Sequence, residues 1–315
     1  MLKRHWTRRE WLHLAGAISV TGIAGPGVAS RVAQALTSDD TTGLSLRIMS
    51  FNIRTGSAAD GDNSWEYRKE QLGDCVVSQS PDLLGLQESQ PFQSEWLTHF
   101  LSRQHDSGRS PEYASFGRTR EVDPTQGEAM TIFYRKDRFE RIAEDTGTFW
   151  LSETPEEPGS ASWDTACRRI VTWSRFRSLE RPNCEFYYYN THLDHISKEA
   201  RRKGAILIID RILGRQVPSV PAFLTGDFNC GESSDPIQAI REGGLVDTFR
   251  VVHPDATDVG TFHGFSGKAG KDKIDYIFTT PDVHVTSAEI LRTHRDGRYP
   301  SDHFPLTADI RIGTE

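Results

Sequence analysis

Apolar and polar residues alternate over residues 44–53, the period-two pattern of a strand with one buried face. Residues 65–80 switch to helical spacing and stop at Pro81. A short apolar run, 83–86, then delivers Gln87 and Glu88 at its C-terminal end. A second helix is predicted over 93–103, and further strands over 129–134 and 141–151. Residues 152–164, rich in Pro, Glu, Gly and Ser, read as an exposed loop. Two long strands, 168–177 and 185–193, form a hairpin. A helix over 197–213 leads to another buried strand, 222–225, which ends on Gly226 and Asp227. A short helix over 235–242 and strands over 273–279, 283–290 and 306–312 complete the pattern. Strands outnumber helices and alternate with them irregularly, which predicts an α/β (α+β) sandwich rather than a parallel doubly wound sheet.

The first residues follow another logic. Thr7, Arg8, Arg9, Glu10, Trp11 and Leu12 place an arginine pair before a modestly apolar run over 12–28, and Ala33, Gln34 and Ala35 supply a small-residue cleavage site. This predicts a twin-arginine signal peptide over residues 1–35, a polar linker over 36–43 and a catalytic domain over 44–315, with the protein periplasmic or secreted. Gly16, Gly22, Gly25, Pro26 and Gly27 interrupt the run well short of the ~20 residues a membrane span needs, so no stable membrane insertion is expected after signal removal. Removing residues 1–35 takes away five basic residues and one acidic one, moving the net charge from −7 to −11. A duplex-tracking protein normally carries net positive charge, so this acidity weakens a reading as a long-duplex nuclease. Local arginine groups remain, at 168, 169, 175 and 177 and at 201 and 202 with Lys203. The four cysteines, 75, 167, 184 and 230, are too scattered for a disulfide framework and include no C-x-x-C pair for zinc.

Polar residues recur where apolar runs end: Asn52, Glu88, His192, Asp227 with Asn229, Asp275, and Asp302 with His303. Each has an ordinary structural explanation by itself. Glu88 can cap a helix, Asp227 and Asn229 can shape a turn, and Asp275 can be a satisfied core carboxylate. As a set they supply hard oxygen ligands for Mg²⁺ or Mn²⁺, and histidines with carboxylates to fix their tautomers, as metal-assisted phosphoryl chemistry requires.

The segments M-S-F-N-I-R (49–54), D-L-L-G-L-Q-E-S (82–89), N-T-H-L-D (190–194), L-T-G-D-F-N (224–229), K-I-D-Y-I-F (273–278) and S-D-H-F-P-L (301–306) resemble, in this order, the motifs of the endonuclease/exonuclease/phosphatase superfamily. The intervening text, including G-T-F-W-L-S-E-T-P (147–155) and G-T-F-H-G-F (260–265), resembles a bacterial branch on the nocturnin-like side. The resemblance implies a four-layer αββα, deoxyribonuclease I-like sandwich of two packed mixed sheets. It implies a phosphoric ester hydrolase, with a phosphodiesterase or nuclease as the leading expectation and a phosphomonoesterase on sugar, inositol or nucleotide phosphates as the alternative. A catalytically silent binding module is the third reading, and the retained Glu88, His192, Asp227 and His303 speak against it.

Carried over by position, Glu88 becomes the main ligand of Mg²⁺ or Mn²⁺, with Asn52 and Asp302 beside it. His303, paired with Asp275, and Asp227 jointly handle the attacking water and the leaving group. Asn229 orients phosphate or nucleophile, and His192 contacts a phosphate oxygen. Arg169 and His263 are candidate substrate contacts, whereas Asp194 and His195 either join the site or turn the chain. Trp65, Trp150, Trp163 and Phe265 are candidate stacking residues or core edge. The expected partner is a phosphate ester, nucleotides and nucleic acids included, acted on by a monomer.

Overall fold

The computed structural model describes residues 43–313, so the expected signal peptide (1–35) and all but the last residue of the linker (36–43) lie outside the described residues. Twelve strands among the described residues form two six-stranded mixed sheets. The first has the order β11-β12-β1-β2-β4-β3, with β1 (Leu44–Asn52), β2 (Leu83–Gln87), β3 (Tyr113–Phe116), β4 (Ile132–Arg135), β11 (Val283–Ile290) and β12 (Leu306–Ile312). The second has the order β5-β6-β7-β8-β10-β9, with β5 (Phe139–Trp150), β6 (Ile170–Ser178), β7 (Glu185–His192), β8 (Ala222–Asp227), β9 (Val246–Asp247) and β10 (Asp275–Thr279). Each sheet holds one parallel pair near its centre, β1 with β2 and β7 with β8; the other pairings are antiparallel.

Alternation along the strands sorts side chains into layers. Leu46, Ile48, Leu83, Phe186, Phe223 and Ile277 meet between the sheets. Met49, Phe51, Leu84 and Leu86 point the other way, against α1 (Trp65–Gln79) and α2 (Pro91–Asp106), through Leu72, Val76, Leu97 and Phe100. Tyr187, Tyr189, Leu224 and Tyr276 pack against α3 (Lys198–Leu213) and α4 (Asp235–Glu242), through Ala205, Ile208, Ile237 and Ile240. The result is the four-layer αββα sandwich that the resemblance implied.

The inter-sheet layer changes character along the parallel strands. Past the apolar residues, Ser50, Gln87, Asn190 and Thr225 form a buried polar tier: Gln87 Nε2 donates to Asn190 Oδ1 at 2.7 Å, and Thr225 Oγ1 donates to the same oxygen at 3.1 Å. Gly85 is required here, since a Cβ at that position would lie 2.5 Å from Thr225 Oγ1 and 2.6 Å from Asn190 Oδ1. One step further on, the same inward face carries Asn52, His192 and Asp227.

Most element boundaries agree with the pattern to within a few residues. The strand expected from Ala129 begins at Ile132, because Ala129 instead makes isolated bridges to Ser89 and Thr119. Strands β3 and β9 and the short helix α5 (Thr248–Val252) have no counterpart in the pattern. The four cysteines are free thiols. No helix among the described residues is long and apolar enough to cross a membrane.

Candidate active site

The C-terminal ends of the two parallel pairs open on one cleft, and hydrogen bonds join its two sides. Asn52, ending β1, donates through Nδ2 to Glu88 Oε1 at 3.0 Å and to Asp227 Oδ2 across the seam at 2.9 Å. His303, on the loop before β12, places Nδ1 2.9 Å from Asp275 Oδ2, again across the seam, and Nε2 3.7 Å from Asp227 Oδ2. Asn229 donates its backbone N–H to Asp227 Oδ1 at 2.8 Å, and its Nδ2 lies 2.8 Å from His192 Nε2. Glu88 and Asn229 both adopt left-handed backbone conformations, with φ of 59° and 50°. Strain of this kind in non-glycine residues concentrates at functional sites. The structure thus gathers Asn52, Glu88, His192, Asp227, Asn229, Asp275 and His303 in one place.

Burial and mutual charge set the protonation states. Burial raises Asp227, the neighbouring Asp275 charge raises it further, and its carboxyl lies at about 7. Burial opposes the charge on His303, but Asp275 and Asp227 outweigh it and carry the imidazole up to about 10. Burial and the nearby Arg169 and Arg120 cations push His192 well below its ordinary range, so it is neutral. Because the Asn229 amide occupies its Nε2, the proton of His192 sits on Nδ1, which is buried without a partner. Burial works against ionised Glu88, yet the Asn52 amide and the Thr55 N–H, 3.0 Å from Oε2, hold it below the usual carboxylate range.

The two elevated groups act in the same direction. Asp227 gains its folded-state proton as its value rises from 3.8 to about 7, and His303 as its value rises from 6.5 to about 10. In both cases the added stability is present at low pH and is lost as pH climbs through the folded value. In chelator-treated protein the thermal midpoint is therefore expected to fall from about pH 6 to about pH 9, with a shallower slope in Asp227→Asn. A midpoint flat or rising over that interval in a thermal-melt series contradicts the assignment.

The donor set suits a hard divalent cation. Glu88 and Asp302 lie close enough for each to feel the other's charge, and burial followed by that repulsion, against the pull of His303, raises Asp302. Two oxygen-donor carboxylates with only partial compensation by Arg54, whose Nε is 3.7 Å from Asp302 Oδ2, match what Mg²⁺ or Mn²⁺ requires. Two sets bring their ligand atoms within 4.8 Å of one another, Glu88 with His192 and Asp227, and Asp227 with Asp275 and His303; in the second the histidine Nδ1 is already engaged by Asp275, so His303 and Asp275 read as a proton-handling dyad. Asn52 presents its NH₂ to the carboxylates and its Oδ1 to the Arg54 N–H at 3.0 Å; as placed, it organises the ligands rather than adding an oxygen.

Arg169 is 5% exposed beside His192, with Nε and Nη1 unpartnered and Nη2 3.1 Å from His195 Nδ1. His263 lies next to the Asp302 and His303 segment. It is buried, stacked on Phe304 at 4.1 Å and tilted against Tyr299 at 4.7 Å, and its backbone N–H supports the Asp302 carbonyl at 2.9 Å. Asp194 turns the chain: its carboxylate accepts from the N–H groups of Ala166, Cys167, Ile196 and Ser197 at 2.9, 3.3, 2.9 and 2.6 Å. Trp65 and Trp150 are core.

Sequence reasoning missed Arg68, a buried cation that donates to the carbonyls of Ile53 at 2.6 Å, Arg54 at 2.8 Å, Asn63 at 3.0 Å and Pro300 at 3.0 Å, and so ties together the chain segments next to Asn52 and Asp302. It also missed Arg120 and Glu128, paired at 2.6 Å. The available signal was four arginine or glutamate positions, Arg118, Arg120, Glu121 and Glu128, between Gly117 and Ala129.

The endonuclease/exonuclease/phosphatase family profile matches residues 49–303, from the first motif to His303. The chain belongs to this family. Its members hydrolyse phosphate esters and use divalent metals. Nocturnin of Drosophila melanogaster is 25% identical over 323 residues, which covers 86% of this chain and 47% of that protein; the chain spans about half the length of this curated relative. A solved family member from Bacteroides vulgatus is 34% identical with a TM-score of 0.75, covering 85% of this chain and 99% of the other. The mannosyl-6-phosphatase of Bacteroides thetaiotaomicron VPI-5482 is 30% identical with a TM-score of 0.72, covering 84% of this chain and 99% of the other. The family is the one that the six motifs indicated, and the nocturnin-like relatives are those that the text between them indicated.

Proposed function

We propose that this protein is an exported, divalent-metal-dependent phosphoric ester hydrolase whose substrate is a phosphomonoester. The observation that carries the hydrolytic reading is the cross-seam set Glu88–Asn52–Asp227 and Asp275–His303. Export rests on the arginine pair and cleavage site of residues 1–35.

Glu88 and Asp302 hold Mg²⁺ or Mn²⁺, and Asn52 keeps Glu88 and Asp227 aligned. The ion supplies Lewis-acid stabilisation of charge on the phosphoryl oxygens. Asp227 and the Asp275-braced His303 orient a water in line with the leaving oxygen, take its proton and return one to the departing alkoxide. Neutral His192, Asn229 and Arg169 offer donors to the remaining phosphate oxygens, where charge accumulates in the transition state. Sequence reasoning put diesters first. The monoester is favoured here by the 30%-identical mannosyl-6-phosphatase, matched over nearly its whole length.

The test is hydrolysis of p-nitrophenyl phosphate and bis-p-nitrophenyl phosphate by protein lacking residues 1–35, with Mg²⁺, with Mn²⁺ and with EDTA. Monoester cleavage that exceeds diester cleavage and disappears in EDTA is expected. Activity indifferent to chelation, or confined to the diester, overturns the proposal.

A further inference from the structure

Beside His192 stand two arginines, Arg169 and Arg120, and the hydrolytic steps use only the first. Arg120 and Arg169 approach each other closely enough that Arg120, after burial, is the foremost cause lowering Arg169. Arg120 gives Nη1 to Glu128 Oε2 at 2.6 Å; its Nε is 3.6 Å from Glu121 Oε1, in an ion pair but with no hydrogen-bond partner. Arg169 leaves both Nε and Nη1 buried and unbonded, and its nearest carboxylate oxygen, on Asp194, is 3.9 Å away and already shared among backbone N–H groups. With the unpartnered Nδ1 of His192, four buried nitrogens have no hydrogen-bond acceptor. The neighbouring Arg168 takes no part, since it reaches outward to Glu121 at 2.7 Å and the Gly159 carbonyl at 2.6 Å.

Buried donors left empty in the free protein are matched when a ligand brings the acceptors. Glu121 Oε1 lies 3.6 Å from Arg120 and Asp194 Oδ2 3.9 Å from Arg169, so what the pair offers an incoming ligand is its unbonded donors. The chain closes directly beyond them: Ile170 follows Arg169, Trp150 donates its indole N–H to the Arg120 carbonyl at 2.8 Å, and Met130 completes an apolar cluster with both.

We propose that Arg120, held by Glu128, and Arg169 form a wall that selects a terminal phosphate dianion, so that a small phosphomonoester is accepted and a diester is not. A terminal phosphate turns an unesterified, charged oxygen toward the wall. A diester turns a second alkoxy arm there, which accepts weakly and meets the closed Met130–Trp150–Ile170 surface. The inference rests on the phosphoesterase reading and names the substrate class of that same cleft. In a chain whose net charge is −7, this confined cationic spot favours a single phosphate over a polyanion.

The experiment compares binding of inorganic phosphate and of dimethyl phosphate by calorimetry near pH 8, with Mg²⁺ present, for wild type, Arg120→Ala and Arg120→Lys. Binding is read directly, so its outcome is separable from failure of the hydrolytic reading. Arg120→Ala is expected to weaken phosphate about 10- to 100-fold while changing dimethyl phosphate less than about 3-fold, with Arg120→Lys in between. Melting midpoints equal to wild type exclude misfolding as the cause. Equal losses for both ligands, or no loss for either, overturn the dianion wall even if metal-dependent hydrolysis is established.

Discussion

Glu88→Gln is expected to lower metal-dependent hydrolysis by about a thousandfold or more and to remove most of the thermal stabilisation that Mg²⁺ confers on the wild type. The glutamine keeps the volume of the side chain, and its one carbonyl oxygen can replace either Oε1 as acceptor for Asn52 Nδ2 or Oε2 as acceptor for the Thr55 N–H, while its NH₂ meets the other donor. A melting midpoint measured without metal separates that lost bond from the lost charge. What disappears is one of the two carboxylate charges, Glu88 and Asp302, that make the cleft attractive to a cation. A bound ion stabilises the folded state in proportion to the logarithm of its concentration over its dissociation constant, so the midpoint shift with added Mg²⁺ measures the site without reference to turnover. A variant that retains the wild-type Mg²⁺ shift removes Glu88 from the metal site. One that loses the shift but retains activity separates metal binding from chemistry.

Asp275→Asn is the second large effect, expected to cost about 10²- to 10⁴-fold in kcat with KM nearly unchanged. Asp275 Oδ2 lies 2.9 Å from His303 Nδ1 and fixes which ring nitrogen faces the cleft. An asparagine can turn its NH₂ toward that nitrogen and so favour the opposite tautomer. It also removes the foremost of the three carboxylate charges, Asp275, Asp227 and Asp302, that lift His303 to about 10, so the titration of His303 moves to lower pH. The two residues act as one unit, and the double variant Asp275→Asn with His303→Ala is expected to be no slower than His303→Ala alone. Losses that multiply in the double variant show that Asp275 acts independently of His303, and the dyad assignment then fails.

The elements that carry chemistry were the most legible in the sequence. Strands β1, β2, β7 and β8 are central and covered on both faces, so their apolar runs are long, and each ends on a polar residue that stands out. Edge strand β3 is half-exposed and lacks alternation, β9 has two residues and α5 five, so none offers enough periods to detect. Spacing along the chain also says nothing about which strand ends face one another; the pairing of His303 with Asp275 came from the resemblance, not from periodicity, and the bond from Asn52 to Asp227 was not anticipated. The left-handed turns at Glu88 and Asn229 were invisible because no glycine marks them. His263 was marked only by its Gly-flanked loop, and nothing in the spacing showed that Tyr299 and Phe304 enclose it. Arg169 looked like any arginine at a strand start, and only its burial beside His192 distinguishes it from Arg168.

The hydrogen bonds from Asn52 to Asp227 and from His303 to Asp275 each have one end on either sheet. Neither sheet owns a complete catalytic set, so the chemistry exists only while the two halves are in register. A slide of about one residue, roughly 3.3 Å along a strand, would break both contacts while leaving each sheet's own ladder whole. Turnover is thus a gauge of how the halves are docked. Under mild denaturant it should fade before the far-ultraviolet signal of the strands does, and a protein from this fold that regulates itself would need to move one half against the other by no more than an atom's width.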